Sequence, residues 1–108
     1  MIGSATVSYL DRLKELYTAG FQDSFLDNAL NRIIDRQVAR DEADLARTSM
    51  ELVKFEQQYE LNSSEFWSHY QKGQMADTAD FMEWNILYKM RQRIVNRLNI
   101  LRGSDFYE

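Results

Sequence analysis

The chain has 108 residues, a net charge of −4 and a pI near 5.0, with no cysteine and a single histidine. This length fits one domain with a small core. The acidic balance argues against general nucleic-acid binding, because phosphate contacts need clustered cations. The missing cysteines exclude disulfides and thiolate chemistry, and one histidine disfavours a zinc site.

The N-terminal residues do not resemble a secretion signal, since they lack a basic start followed by a long apolar run. No apolar stretch in the chain approaches the length of a membrane span. We therefore expect a cytoplasmic protein without a membrane segment.

The first two predicted helices cover residues 7–17 and 24–60. The absence of proline favours long helices, and Gly20 is placed to end the first one. The second would be ~55 Å long at 1.5 Å per residue. From residue 34 to residue 59 its core positions alternate steps of four and three, which is heptad spacing. A helix of this length needs a long partner helix.

Two further helices complete the chain. A cap within residues 62–64 starts a short helix that Gly73 ends. Residues 77–78 start the last helix, Gly103 ends it, and residues 104–108 are expected to fray. Carboxylates lie early in the last helix and cations lie late, which suits the helix dipole.

These elements predict an all-α fold in which residues 1–108 form a single helical domain. Its main feature is a long, coiled-coil-like antiparallel hairpin of the second and fourth helices. A short helix lies at the hairpin tip, and another short helix forms the N-terminus. Because neither neighbour is long enough to cover the second helix, an apolar stripe should stay exposed. A homodimer would cover that stripe.

Residues 41–44 read Asp-Glu-Ala-Asp, four letters that mark the Mg-ATP site of one family of RNA helicases. That site requires a preceding apolar strand and a phosphate-binding loop with a lysine. Here the preceding residues are typical of a helix, and the chain contains no G-x-x-x-x-G-K-[ST] motif. The four letters therefore do not indicate a helicase.

Asp41 nevertheless occupies a core position of the heptad pattern. One interpretation is a polar layer or ion pair that sets the register of the helices, and another is a solvated stretch where the helices splay apart. A third is a metal or ligand site that includes Asp44 and a symmetry mate. Arg91, on the apolar face of the last helix, is the candidate partner for both carboxylates.

Aromatic side chains gather at the predicted hairpin tip. We expect them to form one cluster that belongs mainly to the core and contributes secondarily to a recognition surface. Glu83 should lie on the inner side of the last helix and be paired, with His69 and Tyr70 among the candidate partners. The aromatic residues are Phe55, Tyr59, Phe66, Trp67, Tyr70, Phe81, Trp84 and Tyr88.

The end of the last helix carries five cations between Lys89 and Arg102 and no acid. It is either a solvated face that complements the helix dipole or a surface for an anionic partner. Only Tyr88 interleaves with these cations, so direct nucleic-acid binding is not expected. No nucleophile stands at an informative spacing from His69, and we predict no catalytic residue, metal site or cofactor.

The run FEQQYELNSSEFWSHYQKGQMADTADFMEW, about a third of the chain, resembles small helical prokaryotic antitoxin-like proteins of two-gene toxin–antitoxin pairs. Two departures stand out: Glu60 replaces a glycine that commonly follows the tyrosine, and residues 74–76 replace a more acidic stretch. The matching positions are Phe55, Glu56, Tyr59, Ser63, Ser64, Glu65, Phe66, Gly73, Asp77, Asp80, Phe81, Glu83 and Trp84.

This resemblance implies a non-catalytic protein that binds and neutralises a cognate toxin, often a ribonuclease or a nucleotide-transferring enzyme. No ribbon-helix-helix or helix-turn-helix signature is present, so DNA binding is not expected. Two alternatives stay open. One is a self-associating helical scaffold or regulatory coiled-coil protein. The other is a metal- or ligand-binding bundle that uses Asp41, Asp44, His69 and Glu83.

Overall fold

The structure is a computed structural model that describes residues 2–103, so the expected fraying of residues 104–108 lies outside it. The described residues form helices without any strand, which confirms the all-α prediction. None of these helices is both long and apolar enough to cross a membrane. In chain order they are α1 (Ile2–Thr18), α2 (Ser24–Tyr59), α3 (Ser63–Gln71) and α4 (Ala79–Arg102).

Short polar side chains start three of the helices. Asp23, Asn62 and Thr78 each accept a hydrogen bond from the backbone N–H three residues later, at 2.8, 2.8 and 3.1 Å. These bonds satisfy backbone donors that the first helical turn leaves without partners. The caps predicted within residues 62–64 and at residues 77–78 are confirmed, whereas α1 begins five residues earlier than expected.

The ends of α2 and α3 share one backbone geometry. Glu60 follows α2 with a φ of +51°, and Gly73 follows α3 with a φ of +71°. In both turns, the next backbone N–H donates to the carbonyl five residues earlier, at 3.2 and 3.0 Å. This left-handed position favours glycine because it has no Cβ. Glu60 therefore lies at a position that favours glycine. Glycine is also the residue that the resemblance leads us to expect there.

The chain divides into two compact units, Met1–Ile33 and Ile34–Glu108. In the first unit, the Tyr17 hydroxyl donates to the Asp27 carboxylate at 2.6 Å. This bond, with partial burial and the Asp27 charge, raises the pKa of Tyr17 to about 12. The Tyr17 ring also meets Phe21 edge-on, with centroids 5.7 Å apart. These contacts hold the turn between α1 and α2.

The second unit contains the predicted antiparallel hairpin. Asp41, early in its part of α2, contacts Arg97 near the end of α4. Tyr59, the last residue of α2, contacts Asp80 at the start of α4. The short helix α3 lies at the tip that joins them. The buried apolar residues of this unit are Leu52, Phe55, Phe66, Trp84, Ile94 and Leu98.

Candidate partner-binding surface

A stack of three aromatic rings holds the hairpin tip together. Trp84 and Phe66 are fully buried, and their rings are parallel within 3° at a centroid distance of 4.0 Å. Phe55 stacks on Trp84 from α2, at 5.5 Å and 12°. The stack therefore takes one ring from each of α2, α3 and α4, and it fixes how these helices pack.

A chain of hydrogen bonds runs beside the stack. The buried Trp84 Nε1–H donates to Ser63 Oγ at 2.9 Å, and the Ser63 backbone N–H donates to Glu56 Oε2 at 2.8 Å. Ser63 is thus a buried acceptor for tryptophan, although the sequence pattern predicted it only as part of the cap region of α3. These three residues belong to the resemblance, and here they link α4, α3 and α2.

Two tyrosines make similar links at the tip. The Tyr59 hydroxyl donates to Asp80, and the Tyr70 hydroxyl donates to Asp77 at 3.2 Å. The hydrogen bond to Asp80 raises the pKa of Tyr59, and burial followed by the bond to Asp77 raises the pKa of Tyr70. Asp77 and Asp80, both among the matching positions of the resemblance, therefore tie the start of α4 to its neighbours.

The remaining aromatic residues pack around this core. Tyr59, Trp67, Tyr70 and Phe81 are half-buried, and Trp67 lies 5.6 Å from Tyr88 between ring centroids. The aromatic cluster predicted at the tip is therefore present, and it serves mainly to hold the three helices together.

Asp41 is buried and paired. Its carboxylate is 1% exposed and accepts hydrogen bonds from Arg97 Nε at 2.9 Å and Nη2 at 2.8 Å. Gln37 donates a third bond at 3.0 Å. These bonds, led by those from Arg97, hold the pKa of Asp41 below its ordinary value. This arrangement matches the interpretation of an ion pair between helices.

The prediction of Arg91 as the partner is wrong. Arg91 is exposed and lies beside an open cleft of about 340 Å³, whereas Arg97 reaches Asp41. The two arginines are six residues apart, which is ~9 Å along a helix. Asp44 pairs instead with Arg47 in its own helix. The apolar pattern gives the face of a helix but not the register of α2 against α4, which brings Arg97 to Asp41.

The prediction that Glu83 is inward-facing and paired is also wrong, because Glu83 is exposed. His69 is exposed too, and its Nδ1 lies 2.7 Å from Gln74 Oε1. Within residues 2–103, no group of three or more His, Asp or Glu side chains is placed to hold a metal ion. The four residues of the metal-binding alternative thus do not form one site.

A second open cleft, of about 490 Å³, lies between α2 and α4 beside the Asp41–Arg97 pair. Its charged lining includes both signs: the acids Asp44 and Glu51, and the arginines Arg47, Arg93 and Arg97, of which Arg47 and Arg97 already pair with Asp44 and Asp41. Such a mixed and open surface has no convergent set of groups for a small ligand.

The surface of the tip combines carboxylates with apolar side chains. Residues 60–83 contain five carboxylates and one lysine. We call the exposed carboxylates of Glu60, Glu65, Asp77 and Glu83 the acidic tip.

Beside the acidic tip, three apolar side chains follow one another at four-residue intervals along α4. We call them the α4 outer stripe: Met82, Ile86 and Met90, which are 51%, 56% and 37% exposed.

Comparisons of the chain with protein-family models, curated proteins and solved structures found no match.

Proposed function

We propose that this chain is a non-catalytic protein-binding module, an antitoxin-like protein that binds and neutralises a cognate toxin encoded nearby. In this proposal it acts in the cytoplasm as a homodimer. The resemblance of residues 55–84 to antitoxin-like proteins gives the class, and the exposed surface of the hairpin tip gives the contact region.

The observation that carries the proposal is the position of Met82 and Ile86. Both side chains are more than half exposed, one helical turn apart, next to Glu83 of the acidic tip. Exposed apolar groups beside a set of carboxylates are typical of protein-binding surfaces. A protein that handles RNA presents a basic surface, so a carboxylate-rich tip with apolar anchors is complementary to such a toxin. Methionine also adapts its shape to a partner at little cost.

Residues that carry the resemblance form the core beneath this surface. Phe66 and Trp84 form the stack, and Ser63 ties Trp84 to Glu56. Because these contacts fix the start of α4, they hold Met82 and the acidic tip in one arrangement. A rigid surface loses less conformational entropy when it binds.

Co-expression with the product of the adjacent reading frame, followed by pull-down, tests the proposal. We expect the wild-type chain to retain that product and the double variant Met82→Gln/Ile86→Gln to lose it. Ile100→Gln is the matched control, because Ile100 is a 77% exposed isoleucine near the other end of α4. Failure of the wild type to retain the product, or equal retention by all three proteins, contradicts the proposal.

A second candidate function is a self-associating scaffold or regulatory coiled-coil protein. A separate exposed stripe on α2, described below, favours it. A chain that forms a discrete dimer in light scattering but does not retain the neighbouring product would support this candidate over the first.

A further inference from the structure

The face of α2 that points away from the core carries a second heptad pattern. Five apolar residues alternate steps of four and three, and all are exposed, with Met50 at 67% and Val53 at 44%. At 100° per residue they lie on the side opposite the buried Asp41 and Thr48. We call them the α2 outer stripe: Ala39, Ala43, Ala46, Met50 and Val53.

Charged residues flank the α2 outer stripe at seven-residue spacing. Asp35 and Glu42 lie along one edge, which we call the acidic edge. Arg40, Arg47 and Lys54 lie along the other, which we call the basic edge. All five are exposed. In the heptad pattern these are the two positions that flank a helix–helix seam and select its partner and orientation.

We propose that a second copy of this chain covers the α2 outer stripe, as a parallel helix pair in register. This inference rests on the homodimer proposed above, and it names the surface and the sense of that dimer.

The charges favour the parallel sense. Around a twofold axis that runs along the helices, the acidic edge of one copy faces the basic edge of the other. Glu42 then meets Arg47 of the second copy, and Asp35 meets Arg40 of the second copy. An antiparallel pair brings each edge against the same edge, so that acid meets acid and base meets base. Like charges placed opposite each other disfavour that arrangement.

The size of the side chains in the α2 outer stripe determines how stable the dimer should be. Ala39, Ala43 and Ala46 let two helices approach closely, but they bury little apolar area. Met50 and Val53 supply the larger contacts. The stripe covers about two heptads, which is short for a stable coiled coil. We therefore expect a reversible dimer whose population rises with protein concentration.

The existing contacts of the edge residues do not prevent this pairing. Within one chain, Glu42 accepts from Arg102 at 2.7 Å, Lys54 contacts Glu51 at 3.1 Å, and Arg47 contacts Asp44. These ion pairs are exposed, and exposed pairs contribute little to stability. Exchanging them for pairs between chains therefore costs little.

Sedimentation of the full chain over a range of concentrations tests the association, and charge reversal tests the surface. Reversing the basic edge with Arg40→Glu/Arg47→Glu/Lys54→Glu should weaken the dimer by at least about tenfold, because both edges are then acidic. A control with the same net charge reverses three cations of α4 and should weaken the dimer much less. Its substitutions are Lys89→Glu, Arg91→Glu and Arg93→Glu.

Mixing two charge variants tests the same pairing of the edges through the formation of a complex. The variant Asp35→Lys/Glu42→Lys has two basic edges and should also dimerise weakly alone. Mixed with the reversed-basic-edge variant, it should form a heterodimer, because each edge then meets the opposite charge.

A cysteine cross-link tests the parallel sense. The chain has no cysteine, so Met50→Cys introduces a single thiol at the seam. In a parallel pair in register, this thiol lies opposite its own counterpart, and oxidation should give a covalent dimer. Asn96→Cys, on the exposed face of α4, is the control that should remain largely unlinked.

Three outcomes would overturn the proposal. A chain that stays monomeric at all accessible concentrations contradicts both this surface and the homodimer. A dimer that keeps its strength when the basic edge is reversed contradicts this surface alone. A dimer that Met50→Cys does not link contradicts the parallel register. None of them bears on retention of the neighbouring gene's product, so failure of the toxin-binding proposal is measured separately.

Discussion

Ser63 is a polar residue whose hydrogen bonds lie inside the hairpin tip. Its hydroxyl is the acceptor for the buried Trp84 Nε1–H, and its backbone is held by Glu56. A buried donor without an acceptor loses the hydrogen bonds that water gives it in the unfolded chain. Removing one oxygen atom should therefore have a larger effect than its size suggests.

Replacing Ser63 by alanine should lower the free energy of unfolding by about 1–3 kcal/mol, because Trp84 Nε1–H stays buried without an acceptor. Urea denaturation of both proteins measures the difference. Ser64→Ala is the matched control, since Ser64 is exposed. We expect that change to stay within about 0.5 kcal/mol. Equal losses for both variants would mean that the hydrogen bond to Trp84 contributes nothing specific.

Glu60 offers a gain in stability at a single position. With a φ of +51°, it pays the steric cost of a left-handed backbone that glycine avoids. We expect Glu60→Gly to raise the free energy of unfolding by about 1 kcal/mol. Glu60→Ala keeps the Cβ and should give no such gain. A loss of stability in the glycine variant would show that the Glu60 side chain has a role in the tip.

Helix α2 has two distinct faces along the same stretch of residues. One face packs against α4 and carries Asp41, which pairs with Arg97 several turns beyond the aromatic cluster. The opposite face is the α2 outer stripe. Because the buried Asp41 carboxylate pairs with Arg97 of α4, we expect Asp41 to set the register of the hairpin and thereby the position of the outer face.

The Asp41–Arg97 pair should make stability depend on acid pH. The pKa of Asp41 is lower in the folded chain than its ordinary value of 3.8, chiefly because Arg97 donates to the carboxylate. Its contribution to stability is therefore complete above the unfolded pKa and is lost as the pH falls through the folded pKa.

Urea denaturation at a series of acidic pH values measures this dependence. We expect Asp41→Asn to be less stable than the wild type at neutral pH and to lose less stability on acidification. Glu42→Gln is the control, because Glu42 is exposed and pairs with Arg102 in water. If Asp41→Asn and the wild type have parallel pH profiles, the ion pair does not contribute as described.

Local signals predicted most of the helical architecture. Caps such as Asn62 and Thr78 and the stop at Gly73 depend on neighbouring residues alone, so the sequence displays them. The start of α1 was missed because residues 2–6 carry no apolar periodicity. Helix existence is thus predictable here wherever a cap or a repeating apolar pattern is present.

Partners across helices were harder to predict. Apolar periodicity placed Arg91 and Glu83 on the inner face, but both are exposed. Periodicity gives the face of a residue, whereas the partner also depends on how far the two helices are shifted along each other. The bond between Ser63 and Trp84 depends on the packing of α3 against α4, which no local pattern encodes.

The second unit carries the two proposed binding surfaces, and these should act independently. Met82 and Ile86 lie next to the acidic tip, whereas the α2 outer stripe ends at Val53 and is flanked by its own charged edges. Because the two surfaces share no residue, a variant of one should leave the other active. Met82→Gln/Ile86→Gln should therefore keep the self-association of the wild type, and sedimentation of the variant measures this.

A calorimetric titration is the most direct test of whether the exposed tip binds a partner protein. The purified chain is titrated with the purified product of the adjacent reading frame. We expect the wild type to bind it, and Met82→Gln/Ile86→Gln to bind at least about tenfold more weakly with an unchanged free energy of unfolding. Absence of binding by the wild type, or equal affinity for the variant, would contradict the account.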